Sequence, residues 1–271
     1  MEQVWESEDL CVLKGVPFRY RNSDYGSLRT TADQVVILKP RTFFEQYRQL
    51  PLSPVKRILE VGVFEGGSAL LLADIFPDAK IVGIDIRPAD PSVRWHIANM
   101  GYGDRIKLYS GVSQDDKAQV EAILEKEFGG EPIDLVIDDA SHMYGFTTRC
   151  FDIVFPRLRV GGCYVIEDWG WANWPGYKAP DFFFEDRQPL ATMILELAMA
   201  TASNYGAIRE LTVTFGMARL VKGGELPPLR RDGQRQRARS LDRIPATAAT
   251  VGRGRFRAAA PSARRSCRRS P

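Results

Sequence analysis

Short apolar runs alternate with helical patterns through the middle of the chain, and this alternation constrains the fold most strongly. Amphipathic stretches separate five runs of six or seven residues, which are RILEVGV, KIVGIDI, IKLYSG, IDLVID and GCYVIE. Such alternation is typical of βαβ units that build a parallel sheet covered by helices. Two later runs, 211–215 and 217–221, are separated only by Gly216 and predict an antiparallel hairpin. The sequence therefore predicts an α/β, Rossmann-like, doubly wound fold with a mostly parallel seven-stranded sheet.

The segments on either side of this core lack the alternation. Residues 1–54 predict a helical N-terminal extension, in which the apolar spacing over 33–50 favours one or two helices around Pro40. Residues 55–226 are the predicted cofactor-binding domain. Residues 227–271 are rich in Arg, Ala, Ser and Pro and contain one aromatic residue, so they predict a disordered tail.

The net charge of +3 hides two parts of opposite sign. Residues 229–271 contain thirteen Arg, no Lys, two Asp and no Glu, which gives +11 and leaves −8 for residues 1–228. Nucleic acid is thus not an obvious partner of the acidic body. Two interpretations of the basic tail stay open. It binds nucleic acid or an anionic membrane through its arginines, or it is a non-functional segment translated from a shifted reading frame. No apolar run reaches the roughly 18–20 residues of a membrane span, and the first residues lack a signal-peptide pattern, so we expect a cytoplasmic protein.

A glycine-rich turn, EVGVFEGGS at 60–68, follows a predicted strand and opens a predicted helix. Glycine lets the backbone turn tightly beside a ligand, and a helix N-terminus offers free N–H groups. The G-x-x-x-G-G spacing departs from the G-x-G-x-x-G that cradles a dinucleotide pyrophosphate. Glu60 would repel a pyrophosphate but is able to pair with the amino group of an amino acid. The turn therefore favours S-adenosylmethionine (SAM), with an NAD-dependent oxidoreductase as the alternative.

Polar residues at the ends of the next strands extend this candidate cofactor site. Asp85 ends the second strand, where a carboxylate is able to accept both ribose hydroxyl protons. Ser113 and Gln114 follow the third strand, beside the expected position of an adenine edge. The candidate cofactor-binding residues are Glu60, Gly62, Glu65, Gly66, Ser68, Asp85, Ser113, Gln114 and Asp138.

Carboxylates cluster after the fourth and fifth strands, in DDASH at 138–142 and in ED at 167–168. Ligands of open α/β sheets lie outside the carboxyl ends of the strands, so both clusters converge on the cofactor. Several carboxylates in one place require a cation, and oxygen ligands favour Mg²⁺. His142 is a candidate catalytic base for a substrate hydroxyl, because an imidazole titrates near neutrality, and Asp139 is the second catalytic candidate.

The strings ILEVGVFEGGSALLLA, VGIDI, VIDDASH and GGCYVIEDWGWANWPGY together resemble the macrocin O-methyltransferase family over roughly residues 55–180. That family includes sugar methyltransferases of the mycinamicin and novobiocin pathways and is related to the cephalosporin-hydroxylase-like group. The resemblance implies Mg²⁺-dependent methyl transfer from SAM to a hydroxyl of a sugar or glycosylated metabolite. By motif position it implies Asp139, Glu167 and Asp168 as metal ligands and His142 as general base. A homo-oligomer is also compatible with the resemblance.

An aromatic run, WGWANWPGY at 169–177, follows the fifth strand, and three phenylalanines stand at 182–184. Aromatic faces suit sugar or polyketide surfaces, and they equally suit a role in covering the core or a subunit contact. His96, the other histidine, stands between Trp95 and Ile97 in a predicted helix and is predicted to be structural. Cys150 and Cys163 lie within helical or strand patterns and are predicted to be buried thiols.

Overall fold

The computed structural model describes residues 3–20, 29–174, 188–203 and 206–224. The N-terminal extension begins with a small sheet in the order β1-β2-β3-β4, whose last pair is parallel. Its strands are β1 (Val4–Trp5), β2 (Leu10–Leu13), β3 (Val16–Tyr20) and β4 (Val35–Ile37), and the helix α1 (Arg41–Arg48) follows.

The prediction of a helical extension is wrong for the region before α1. Val35–Ile37 is a run of three β-branched residues, all buried, which suits a strand better than a helix. Pro40 precedes the first helical residue of α1, where a proline costs no intrahelical hydrogen bond. Only the second half of the stretch predicted to be helical forms a helix.

The larger sheet has seven strands in the order β10-β11-β9-β8-β5-β6-β7, and this confirms the predicted fold class. All neighbouring pairs are parallel except those of β11, which runs antiparallel to both neighbours. The strands are β5 (Arg57–Val61), β6 (Lys80–Asp85), β7 (Ile106–Ser110), β8 (Ile133–Asp138), β9 (Leu158–Glu167), β10 (Ile208–Thr214) and β11 (Met217–Lys222). The helices between them are α2 (Gly67–Ile75), α3 (Pro91–Asn99), α4 (Lys117–Phe128), α5 (Tyr144–Val154) and α6 (Ala191–Ser203).

Alternate strand residues fill two apolar cores, one on each face of this sheet. Ile58 and its same-face neighbours pack with α2, α3 and the N-terminal sheet. Leu59, next along β5, packs on the opposite face with α4, α5 and α6. Burying both faces explains why the central strands are continuous apolar runs.

The strand order reverses beside β5, which pairs with β6 on one side and β8 on the other. In an open α/β sheet, a crevice forms at such a point outside the carboxyl ends of the strands. No helix in the described part of the chain is long and apolar enough to cross a bilayer. The tail predicted from 227 lies outside the described residues.

Candidate active site

A cavity of about 480 Å³ opens at the crevice where the strand order reverses. Its volume lies in the range of small-molecule sites, about 300–1,000 Å³. The wall consists of the segment after β4, the glycine-rich turn, and the ends of β6, β7, β8 and β9. The predicted site residues that line it are Gly62, Ser68, Asp85, Ser113, Gln114, Asp139, His142 and Asp168.

The glycine-rich turn leaves no room for side chains at two positions. Gly62 has φ 85°, and a Cβ built there would lie 2.4 Å from the carbonyl oxygen of Asp139. A Cβ on Gly67 would lie 2.2 Å from the carbonyl oxygen of Val36 in the N-terminal segment. The turn is thus clamped between the end of β8 and β4, which brings its backbone to the cavity.

Asp85 closes the turn from the end of β6. Its carboxylate accepts hydrogen bonds from the backbone N–H of Phe64 at 2.8 Å and of Arg87 at 2.8 Å. Each carboxylate oxygen has a second acceptor site, so the side chain retains capacity for two ligand hydroxyls.

Gln114 connects the end of β7 to the loop after β8. Its side-chain oxygen accepts the Ser141 N–H at 3.1 Å, and its side-chain nitrogen donates to Asp138 at 3.4 Å. Asp138 itself does not line the cavity among the described residues. It is buried, accepts the Tyr164 hydroxyl at 3.0 Å, and its pKa is raised to about 6 by burial.

Three other predicted cofactor residues stand behind the wall of the cavity rather than in its described lining. Glu65 accepts the Thr30 N–H at 2.7 Å and so anchors the N-terminal segment. Gly66 has φ 96° and packs closely on Val93 and Leu108. Glu60 is buried, and its pKa is raised to about 7 by burial, which outweighs the nearby Lys39.

Asp139, His142 and Asp168 form a group that is able to hold a cation, since one ligand atom from each lies within 4.8 Å of the others. His142 Nε2 lies 3.7 Å from Asp139 Oδ1. Burial, followed by the charge of Asp139, raises the pKa of Asp168. Asp139 directly follows the last residue of β8, and Asp168 directly follows the last residue of β9. The ends of the two strands thus bring these carboxylates together, as the sequence predicted.

The backbone at this group is held in an uncommon conformation. His142 and Asp168 have φ values of 53° and 49°, which non-glycine residues rarely adopt. The Trp171 indole N–H donates to the His142 carbonyl oxygen at 2.9 Å, and the Asp168 N–H donates to Gly216 at 2.6 Å. These bonds fix two left-handed residues on one side of the cavity.

Glu167 lies apart from the three-residue group in the described part of the chain. It is buried, accepts the Lys39 ammonium at 2.8 Å, and accepts the Tyr47 hydroxyl. Burial raises the pKa of Glu167 to about 7, although Lys39 acts in the opposite direction. Of the predicted ligand set, Asp139 and Asp168 therefore lie in the group with His142, whereas Glu167 contacts Lys39, which also contacts Asp139.

Lys39 is the functional candidate that the sequence did not reveal. Its ammonium lies 2.6 Å from Asp139, 2.8 Å from Glu167 and 3.8 Å from Glu60. Burial lowers the pKa of Lys39, but the three carboxylates outweigh burial and raise the pKa above its usual range. A lysine between Leu38 and Pro40 gives no sequence signal of burial, because lysines are mostly exposed. Its position depends on the N-terminal sheet, which was not predicted.

Two incidental predictions are confirmed. His96 is buried and its Nε2 contacts the Thr31 carbonyl oxygen at 2.6 Å, so it has a structural role. Cys150 and Cys163 are buried free thiols.

Sequence comparison identifies the core of the chain. Residues 59–169 match a family described as a methyltransferase domain. This segment is similar to that family over 111 residues, which are less than half of the chain. The match favours the methyltransferase interpretation over the NAD-dependent alternative, and it covers the glycine-rich turn, Asp85 and the carboxylate clusters.

Several relatives are named as O-methyltransferases. The L-olivosyl-oleandolide 3-O-methyltransferase of Streptomyces antibioticus is 33% identical over 148 residues, which are 52% of this chain and 34% of that enzyme. The mycinamicin VI 2''-O-methyltransferase of Micromonospora griseorubida is 36% identical over 141 residues, 49% of this chain and 31% of that enzyme. The aligned regions thus span about a third of the length of these relatives.

A solved structure shows the same architecture. The MycE methyltransferase of the mycinamycin biosynthetic pathway, in complex with Mg, SAH and mycinamycin VI, matches with a TM-score of 0.51 and 30% identity. The match covers 69% of this chain and 50% of that one. A caffeoyl-CoA O-methyltransferase-like structure from Staphylococcus aureus, 17% identical with a TM-score of 0.52, shares the fold.

Proposed function

We propose that this protein is a SAM-dependent O-methyltransferase that acts on a hydroxyl of a sugar or glycosylated metabolite with the assistance of Mg²⁺. One observation carries the proposal: a single cavity is lined both by the cofactor-type wall and by Asp139, His142 and Asp168. The sugar O-methyltransferases among its relatives support the substrate class.

The cofactor half of the cavity suits an amino-acid nucleoside. Gly62 and Ser68 contribute the turn and the start of α2, and Asp85, which also lines the cavity, would accept ribose hydroxyls. Ser113 and Gln114 line the cavity where an adenine edge would lie. Glu60, Glu65, Gly66 and Asp138 would support this wall from behind.

The other half has the donors for a hard cation. The carboxylates of Asp139 and Asp168 are the oxygen ligands that Mg²⁺ prefers, and water would complete its coordination shell. Glu167 directly precedes Asp168 at the end of β9. Because Mg²⁺ prefers oxygen, the His142 imidazole is left to act on a proton. When bound, SAM supplies an activated methyl group, and the metal lowers the pKa of an acceptor hydroxyl.

The protein's own residues would then orient and deprotonate the acceptor. His142 Nε2 would accept the proton of the acceptor hydroxyl, which would leave that oxygen free to receive the methyl group that SAM supplies. Asp139, 3.7 Å from His142 Nε2, stabilises the resulting imidazolium. The walls of the cavity would hold the acceptor in line with the methyl group, which is a large part of the catalytic effect.

Aromatic side chains suit a sugar face, and one of them, Trp171, lies beside His142. The Trp171 ring lies edge-on to the His142 ring at 5.8 Å, and Trp174 stacks on Phe215 at 5.7 Å. Phe215 is 81% exposed. Exposed aromatic rings of this kind would pack on the apolar face of a sugar. The rest of the predicted aromatic run, from 175 to 187, lies outside the described residues.

The proposal is tested with SAM labelled in its methyl group and a panel of glycosylated metabolites, each paired with its aglycone. We expect label in at least one glycoside, no label in the matched aglycone, and a rate that rises with Mg²⁺. Label in the aglycone alone would contradict the sugar assignment. Binding of NAD instead of SAM in calorimetry would contradict the cofactor assignment.

A further inference from the structure

Lys39 places a positive charge where the predicted metal site has its carboxylates. Its ammonium contacts Asp139 Oδ2 at 2.6 Å and Glu167 Oε2 at 2.8 Å. With 3% exposure, it lies within the protein and not in the surrounding solvent. We propose that Lys39 is a built-in counter-cation that competes with a divalent cation for Asp139 and Glu167.

The competition follows from the oxygens that the ammonium uses. A divalent cation held by Asp139 and Glu167 would need the oxygens that now accept from Lys39. A cation held by Asp139 and Asp168 would share Asp139 with Lys39. In either arrangement two cations face one carboxylate, and their repulsion in a buried site is not screened by water.

The segment that carries Lys39 is anchored to the rest of the fold, and this anchoring fixes the position of the ammonium. The Val36 N–H donates to the Thr30 hydroxyl at 3.1 Å, and the Thr30 N–H donates to Glu65 at 2.7 Å. The Gly67 backbone lies against Val36. This anchoring ties the counter-cation to the glycine-rich turn of the cofactor wall.

The same contacts complete the carboxylate cluster without a metal. Tyr47 from α1 donates to Glu167 Oε1, while Lys39 serves Glu167 Oε2 and Asp139. Buried carboxylates would otherwise be costly, because an unpaired buried charge destabilises a fold by several kcal/mol. Lys39 therefore lets the site form before a metal arrives, and it weakens the metal's hold.

The test measures Mn²⁺ affinity by electron paramagnetic resonance of the free ion, without SAM or acceptor. We expect Lys39→Met to bind Mn²⁺ at least tenfold more tightly than wild type. The matched control is Lys222→Met, since Lys222 is also buried but donates to the carbonyl oxygens of Phe155 and Pro156. The control should leave Mn²⁺ affinity unchanged.

Because Lys39→Met leaves carboxylates without their cation, Lys39→Gln is tested in parallel; its amide keeps donors but no charge. The proposal is supported if either folded variant binds Mn²⁺ more tightly than wild type. It is also supported if either variant folds only when Mn²⁺ is present. Unchanged or weaker affinity overturns it, as does failure of both variants to fold in excess Mn²⁺.

The inference rests on the metal site of the proposed function, but the two fail separately. A wild-type protein that binds Mn²⁺ more weakly than Lys39→Met yet transfers no methyl group would contradict the proposed function alone. Absence of Mn²⁺ binding in every folded variant would contradict the inference, whatever the methyl-transfer assay gives.

Discussion

Replacing Gly62 by alanine tests whether the close approach of the glycine-rich turn to β8 sets the geometry of the site. Gly62 has φ 85°, and the added Cβ would lie 2.4 Å from the Asp139 carbonyl oxygen. Moving this oxygen to an ordinary contact requires a displacement of about 1 Å, because nonbonded carbon contacts become favourable near 3.5 Å. Asp139 is also a candidate ligand, so the displacement reaches the chemistry directly.

The expected magnitude has two parts. A left-handed alanine costs roughly 1–2 kcal/mol relative to glycine. Overpacking against the backbone adds about 1–3 kcal/mol, so we expect Gly62→Ala to lower the free energy of unfolding by about 2–5 kcal/mol. Misplacement of a reacting group by about 1 Å costs on the order of 10²-fold in rate. The variant should therefore lose most methyl-transfer activity even where it remains folded.

Gly101→Ala is the matched control. Gly101 has φ 75°, but a Cβ there meets no atom within 4 Å, so this variant pays for the backbone conformation alone. Urea denaturation of the two variants gives the difference in unfolding free energy, and methyl transfer under folded conditions gives the rate. Equal loss of stability in the two variants, or full activity of Gly62→Ala, would show that the close approach of Gly62 to Asp139 does not set the geometry of the site.

Four further outcomes are expected. His142→Ala should lower turnover strongly while SAM affinity, measured by calorimetry, stays near wild type; unchanged turnover would remove His142 from the mechanism. Trp171→Phe loses the 2.9 Å bond to the His142 carbonyl oxygen, and since such a bond contributes about 1 kcal/mol, turnover should fall by about fivefold with SAM affinity retained. EDTA should abolish methyl transfer and Mg²⁺ should restore it, whereas full activity in the chelator would reject the metal. Burial raises the pKa of Cys11 and Cys163 to about 12, so both thiols should resist alkylation at pH 8 until the protein unfolds, as peptide mass spectrometry would show.

The alternating core was predictable because burial on both faces of a parallel sheet imposes local patterns. IDLVID became β8 with the predicted bounds, Ile133–Asp138. Asp85, Asp139, His142 and Asp168 reached one cavity because parallel strands end at one edge. Neither result required knowledge of contacts distant in sequence.

The N-terminal extension was not predictable in the same way. Val35–Ile37 is too short to show a period, and its strand conformation depends on pairing with β3. Glu167 lies outside the group of Asp168 because it contacts Lys39 and Tyr47, which are more than 100 residues earlier in the chain. Glu65 was assigned to the cofactor from its place in the turn, but its partner is the Thr30 backbone.

In the proposed function, the cavity brings SAM and a sugar hydroxyl together beside Asp139, His142 and Asp168. The most direct measurement is mass spectrometry of a glycosylated acceptor after incubation with SAM that carries a deuterated methyl group, in the presence of Mg²⁺. We predict that the sugar fragment becomes heavier by one deuterated methyl group and that His142→Ala largely prevents this. A deuterated methyl group on the aglycone fragment alone, or no transfer to any glycoside by protein that binds SAM, would contradict the proposed function.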